Sequence, residues 1–405
     1  MTKLKTVVVV GGSYTGTYVV DRLAPLVYKT HHIVLIEKSS HFQHVFAFPR
    51  VSVVPGFEQK AFVPYTNAFH QAPRDAVSVV HGVVENILPN CVVLTDGQVI
   101  EYEYLVIATG TGRPPLHLEW KAAGMEVKRT LQERIREAQE IVVVGGGAYG
   151  LRAYFPHIRK NKELTNKELA FDAKELYPHK NVTLVHSRSH LMPHFHPRLH
   201  TIVMTRARTL GVRILLGRRA KIPREGFPTD GPRYTVALTD GTFLPADVAL
   251  ACIGGVPLSS PMFALSPGCI HPRTQEILVQ PTMQITDTRF PRVFAVGDVA
   301  ATNAHKSSGS GHRQAAVAVQ NIEQMIRGER PESVYLPGQR KIRLSLGLHS
   351  YVTFKNPEED GGSPSIKFME LNDANHDAAE ITQLFECRAQ TVWERRALGV
   401  TDYYL

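Results

Sequence analysis

Gly11-Gly12-Ser13-Tyr14-Thr15-Gly16 follows the apolar run Thr6–Val10 and precedes a helical stretch through Leu26. A glycine turn between a buried strand and a helix leaves free backbone N–H groups at the positive end of the helix dipole, where a pyrophosphate binds. Gly11 supplies the turn and Gly16 permits close helix–sheet packing. Ser13 occupies the middle position, where glycine is usual. Serine is small and its hydroxyl can donate to a phosphate, although the backbone approaches less freely. Glu37 closes the next apolar run, 26 residues after Gly11, and is followed by Lys38. A carboxylate there would accept hydrogen bonds from ribose hydroxyls. The alternative is a plain strand–helix–strand unit with a solvent-facing Glu37.

The same grammar recurs at Glu140-Ile-Val-Val-Val, then Gly145-Gly-Gly147-Ala-Tyr-Gly150, then the strand Asn181–Val185. One glycine motif is weak evidence, because many turns carry glycines. Two, each between strand and helix, point to two dinucleotide sites. In the second unit, His186-Ser-Arg188 stands where a site selective for NAD carries an acid. Without a carboxylate to repel a 2′-phosphate, and with Arg188 to attract it, NADPH is expected to serve at least as well as NADH. The alternative is a merely solvated Arg188. Leu151–Asn166, containing Pro156, intervenes before the helical stretch Lys167–Tyr177. It reads as a surface loop or a foreign insertion, and a proline there interrupts a helix.

Two more segments end in chemistry. Tyr104-Leu-Val-Ile leads into Ala108-Thr109-Gly110, and Val293-Phe-Ala-Val-Gly-Asp298 closes a buried strand on an acid before another helix. Alone, a Gly-Asp pair is only a turn. Behind two nucleotide motifs, Asp298 becomes a candidate ligand for cofactor hydroxyls.

The elements that position these residues are short, continuous apolar runs, as strands buried on both faces of a parallel sheet require. Asp96-Gly97 and Asp240-Gly241 mark hairpin turns of small antiparallel sheets. The expected fold class is therefore α/β, with two Rossmann-like nucleotide-binding domains carrying antiparallel crossover sheets. From Lys341 the chain changes to a small α+β domain. The 405 residues divide into a first nucleotide-binding domain (1–130 and 255–335), a second (131–254, with the insertion 151–166) and a C-terminal domain (336–405).

Composition narrows the classes. Hydrophobic residues make up 43% and charged residues 20%, a globular balance. The four cysteines lie far apart and form no C-x-x-C pair, which argues against a dithiol centre or a cysteine zinc site. No apolar run reaches the length of a membrane span, and the first residues leave no room for a signal peptide, so a cytoplasmic location is expected. The amphipathic stretch near Thr382–Arg396 is the candidate for peripheral membrane contact. The formal net charge is +9, yet Lys and Arg are scattered and no basic run is interleaved with aromatics, so no nucleic-acid partner is expected. His186, His190, His194, His196 and His200 cluster among prolines with no acid or thiol to complete a metal site; they read as loop histidines, and no metal is expected. Trp120 and Trp393 read as packing residues.

The ordered set of motifs from about Val7 to Ile322 resembles the two-dinucleotide flavoprotein reductases, the pyridine nucleotide–disulfide oxidoreductase fold. It looks most like the apoptosis-inducing-factor-like, ferroptosis-suppressor-like branch, whose segment after the ribose acid is similar to His41-Phe-Gln-His-Val-Phe-Ala-Phe-Pro-Arg50. The resemblance implies FAD on the first unit and the Gly-Asp segment, NAD(P)H on the second, and no catalytic acid–base side chain. It implies that Arg50 contacts FAD, that Val83 touches the adenine side and that Asp298 binds the ribityl-phosphate region. Disulfide-reducing relatives need a cysteine pair, so electrons are expected to leave for a diffusible, quinone-like acceptor. Ala315–Asn321 is similar to a helix of type-two NADH dehydrogenases with paired amides near the quinone, which implies that role for Gln320 and Asn321. A flavin monooxygenase, a ferredoxin reductase or a catalytically impaired FAD-binding interaction protein shares the two-unit layout.

Overall fold

Strand β1 (Lys5–Val10) holds four consecutive valines, all less than 5% exposed, because helices and loops cover both faces of its sheet. The computed structural model describes residues 4–112, 120–145, 152–153, 166–223, 226–228, 233–359, 361–371 and 377–405. Helix α1 (Tyr14–Val27) returns the chain to β2 (His31–Glu37), which pairs parallel with β1 in the register Val7↔Ile33. β3 (Val77–His81) extends the sheet beyond β2. The strands β4 (Val84–Ile87), β5 (Cys91–Leu94) and β6 (Val99–Glu101) form the small antiparallel sheet. Its turn at Gly97 has φ +87°, the conformation an Asp-Gly hairpin supplies. β7 (Tyr104–Ile107) rejoins the parallel sheet on the other side of β1.

Helix α2 (Lys121–Glu137) leads to the second unit. There β8 (Glu140–Val144) lies between β9 (Asn181–Val185) and, further along the chain, β13 (Val248–Ile253), all parallel. Helix α3 (Asn166–Leu176) precedes β9, and α4 (Pro197–Leu210) links β9 to β10 (Arg213–Leu215). A two-stranded ribbon, β11 (Tyr234–Ala237) with β12 (Phe243–Ala246), is the second antiparallel piece. Of the expected insertion, Arg152–Ala153 is a short strand antiparallel to β13, and the remainder up to Asn166 lies outside the described residues.

β14 (Val293–Ala295) then returns to the first sheet, completing the order β14-β7-β1-β2-β3, and α5 (Ser308–Ile326) packs against α1. The C-terminal part is an antiparallel sheet of β15 (Lys341–Ser345), β16 (Ser350–Lys355) and β17 (Ser365–Glu370), followed by α6 (Ala378–Phe385) and α7 (Ala389–Arg396). The α/β class, the paired nucleotide-type units and the small antiparallel sheets are as the sequence indicates. The single amphipathic stretch at Thr382–Arg396 is corrected to two helices. Cys387 and Arg388 adopt φ +54° and +62°, and left-handed backbone breaks the α-helical hydrogen-bond ladder. Trp393 packs at 2% exposure, as expected of a packing residue, whereas Trp120, also expected to pack, is 60% exposed. It precedes the first turn of α2, and its ring meets His81 edge-on.

Candidate functional site

The glycine turn closes tightly. Gly11 has φ +104°, and its N–H donates to the Ile36 carbonyl at 2.8 Å. A Cβ on Gly16 would overlap the Gly11 carbonyl oxygen, and one on Gly11 would meet the Ala108 carbonyl. Helix α1 begins at Tyr14 with no side-chain cap and no acid in its first turn, so its N-terminal N–H groups remain available to an anion. Glu37 holds the turn from behind, accepting from the Gly12 and Ser39 N–H groups. Tyr65 donates to the Gly12 carbonyl at 2.8 Å. Each Glu37 oxygen has a second lone pair with which it can accept from a ribose hydroxyl.

A cavity of about 790 Å³ opens at this turn, within the range of cofactor and ligand sites. Ser13, Tyr14 and Thr15 line one side, and Gly110, Gly297 and Asp298 another. The first glycine turn and the late aspartate, 282 residues apart in sequence, thus share one space. The joint between them is close-packed. Thr15 fills the spaces where Cβ atoms of Gly297 and Gly311 would stand, and Gln314 accepts from the Gly297 N–H at 2.7 Å while donating to Thr302. Helix α5 starts in the same cavity at Ser308. The two helix N-termini, the glycine cradle and the Asp298 carboxylate form a donor and acceptor set that fits FAD.

Other expected residues lie elsewhere. Val83 and Thr109 are outside the cavity lining: the Val83 carbonyl accepts from Thr95, and the Thr109 hydroxyl donates to the Leu258 carbonyl. The Lys38 carbonyl meets His81. Arg50, expected to contact FAD, does line the cavity, but its hydrogen-bonding groups are turned into the protein. It is 1% exposed, and all five of its N–H donors are used within the protein. Nε donates to Asp172 at 2.7 Å, Nη1 to the Leu348 and Phe385 carbonyls, and Nη2 to Ser345 Oγ and the Gly347 carbonyl. No donor is left for a cofactor phosphate. Asn321 is corrected. It is fully buried, donating to the Thr282 and Ser333 carbonyls and accepting from the Ser333 N–H, so its amide is spent joining the segments on either side of α5. Gln320 is exposed, and neither residue lines the cavity.

Sequence reasoning missed an acidic stripe on α3. Glu168, Asp172 and Glu175 are spaced by four and three residues, which places them on one helix face. Glu168 accepts from the Ser345 N–H at 3.1 Å, Asp172 from Arg50, and Glu175 from the Leu348 N–H at 3.1 Å and Arg206 at 2.9 Å. The stripe therefore fastens α3 to the C-terminal sheet. Burial pushes the Asp172 carboxyl up to about 6, against the pull of Arg50. Also missed was the pair Tyr14–His44. Burial lowers His44 to about 4, so its ring is neutral. Its Nε2 faces the Cys387 carbonyl, which only accepts; Nε2 therefore carries the proton, and the Tyr14 hydroxyl donates to Nδ1.

On the nicotinamide side, Gly145 has φ +112° and its N–H donates to the Val185 carbonyl at 2.7 Å, the counterpart of Gly11. Gly147 and Gly150 lie outside the described residues. Arg188 is exposed just beyond β9. The histidine cluster is stitched into its loop: His186 Nε2 meets the His190 carbonyl, and His200 Nδ1 accepts from the Leu191 N–H. Among the described residues no group of His, Cys, Asp or Glu is placed to hold a metal, and no helix is long and apolar enough to cross a membrane.

The family model described as pyridine nucleotide-disulphide oxidoreductase matches residues 5–321. The chain belongs to this family. FAD is the cofactor of pyridine nucleotide-disulphide oxidoreductases and NAD(P)H their electron donor, so this chain is an NAD(P)H-dependent flavin oxidoreductase. It is 31% identical to Fe-regulated protein 8 of Mycosarcoma maydis, over 99% of this chain and 97% of that one. It is 27% identical to ferroptosis suppressor protein 1 of Xenopus laevis, over 85% and 87% respectively. The sulfide:quinone oxidoreductase of Aquifex aeolicus has the same fold, with a TM-score of 0.72 at 19% identity, covering 97% of this chain and 91% of that one.

Proposed function

We propose that the enzyme passes two electrons from NADPH, through FAD held in the 790 Å³ cavity, to a quinone-type acceptor. The observation that carries this reading is the lining of that cavity. Beside the cofactor residues it is walled by Val45, Phe46, Pro49, Leu384 and Val392, apolar surface suited to a flat, hydrophobic acceptor. Its lining contains a single cysteine, Cys387, whose thiol burial pushes up to about 12, so no dithiol relay stands beside the flavin. The fold neighbour named as a sulfide:quinone oxidoreductase favours the same acceptor class.

FAD, when bound, supplies hydride acceptance from the nicotinamide and electron release to the acceptor. The chain's part is binding and orientation. The backbone N–H groups at Ser13–Thr15 and the α1 dipole hold the pyrophosphate. Asp298 would accept from ribityl hydroxyls, and the start of α5, which lines the same cavity, would favour negative charge on the bound flavin. Thr15, locked between Gly297 and Gly311, fixes the two halves of the site at one spacing. In the working division of the chain, 1–130 and 255–335 serve FAD, 131–254 serves the nicotinamide, and 336–405 closes the cavity. Arg188, with no acid beside it at the end of β9, favours the 2′-phosphate of NADPH.

Anaerobic NADPH should bleach the flavin absorbance of the purified enzyme, and a short-chain ubiquinone analogue should restore it. A flavin spectrum unmoved by both NADPH and NADH would overturn the reductase reading. Bleaching that quinones do not reverse, but ferricyanide does, would overturn the acceptor.

A further inference from the structure

The cavity contains an acid that cofactor binding leaves unexplained. Asp172 is 1% exposed and lines the same space as Asp298 and Phe46. Its Oδ2 receives Arg50 Nε at 2.7 Å, while its Oδ1 is buried and has no hydrogen-bond partner among the described residues. Arg50 cannot supply one, because its other four N–H groups are committed to Ser345 and three carbonyls. An ionised carboxylate oxygen without a donor in a buried site is strongly disfavoured. Two arrangements remove that cost: a proton on Oδ1, or a hydrogen bond from a molecule in the cavity. A group that alternates between them is a proton carrier.

The neighbours suit such a carrier. The titratable groups facing Asp172 are Arg50 from the turn Phe48–Val51, Glu168 and Glu175 on its own helix, Tyr351 on β16, and Cys387 ahead of α7. Burial raises both Tyr351 and Cys387, so these two stay protonated at neutral pH. Burial raises Asp172 to about 6 against Arg50, and Glu168 and Glu175 add to the rise. Asp172 therefore changes charge within reach of ordinary pH.

We propose that Asp172 is the proton donor to the acceptor, with Oδ1 as the atom that carries the proton. The proposal rests on the quinone-type reading above. NAD(P)H contributes two electrons and one proton as a hydride equivalent. A quinone that becomes a quinol gains two electrons and two protons. The second proton leaves Asp172 as its Oδ1–H bond breaks and an O–H bond forms on the quinol, and solvent entering by the cavity restores it. The sum is NAD(P)H + H⁺ + quinone → NAD(P)⁺ + quinol.

Asp172→Asn tests this in the full-length holoenzyme, since the amide oxygen still accepts from Arg50 Nε but the side chain cannot titrate. Two acceptors are compared: a short-chain ubiquinone analogue, which takes up protons, and ferricyanide, which takes none. The quinone-to-ferricyanide rate ratio should fall by about 10²-fold or more. The wild-type quinone rate should decline as pH rises past about 6, and the variant should lose that limb. Independently of turnover, infrared titration of the wild type should show a carboxylic acid C=O band disappearing with a midpoint near 6, absent from Asp172→Asn. Equal losses with both acceptors, an unchanged ratio, or no such band would overturn the proposal. Should the wild type reduce ferricyanide but no quinone, the acceptor assignment fails by itself, and the infrared band still decides whether Asp172 holds a proton. Should Asp172→Asn not fold, Asp172→Glu, which keeps the acid, must retain the pH limb at a shifted midpoint.

Discussion

The two glycine turns open alike and continue differently. Gly11 and Gly145 share a left-handed φ, and each donates its N–H to the last part of the neighbouring strand, at Ile36 and Val185. After Gly11 the helix starts three residues on, at Tyr14; after Gly145 the next helix among the described residues starts 21 residues on, at Asn166. In the first unit the turn itself aims the helix at the ligand. In the second, α3 packs on β8 and β9 through the buried Leu169, Ala170, Phe171 and Ala173, and its acidic face is tied to Ser345, Arg50 and Leu348.

The sharpest break of this comparison is Gly11→Val beside Gly145→Val. A β-branched side chain at φ +104°, pressed on the Ala108 carbonyl, should abolish flavin content in the first variant, read as flavin absorbance per protein. The second should keep its flavin and raise the KM for NADPH. Next in size is Arg50→Met, which leaves Asp172 buried without its partner. Urea unfolding should show a loss of about 3–5 kcal/mol, and the loss should shrink when Asp172→Asn is combined with it.

A smaller effect concerns pH. His44 titrates at about 4 when folded against an ordinary 6.5, so the unfolded chain takes up its proton first as the medium acidifies. Its share of stability is complete above 6.5 and is lost as pH falls toward 4. The loss amounts to at most about 3 kcal/mol. His44→Gln should flatten that part of the stability profile. Smallest is removal of Leu151–Asn166, which brings the helix to within six residues of Gly145. The KM for NADPH should fall by up to about tenfold, a helix-terminus contribution near 1.4 kcal/mol; an unchanged or higher KM would show that the longer path is used.

Much of the fold was legible because backbone demands are local. Four valines before Gly11, and Asp-Gly pairs between short apolar runs, each impose one conformation whatever surrounds them. The candidate site was legible only where chemistry and backbone coincide, at Ser13–Thr15, Gly110 and Asp298. Asp172 was not, because an acid on a helix reads as a solvated face until Arg50 and the C-terminal sheet are placed against it. Gln320 and Asn321 misled for the converse reason. An amide reads as a ligand-binding group, but whether its donors reach a ligand depends on which carbonyls the tertiary fold brings within range. For Asn321 these belong to Thr282 and Ser333.

The first sheet also orders events during synthesis. Its last strand pairs Val293 with Leu105, a separation of 188 residues, and Asp298 and α5 emerge later still. A ribosome-bound chain that has exposed only its opening glycine turn possesses half a cradle. On the proposed reading of Asp298, cofactor loading belongs to the finished polypeptide, and a chain terminated before residue 298 is expected to purify without flavin.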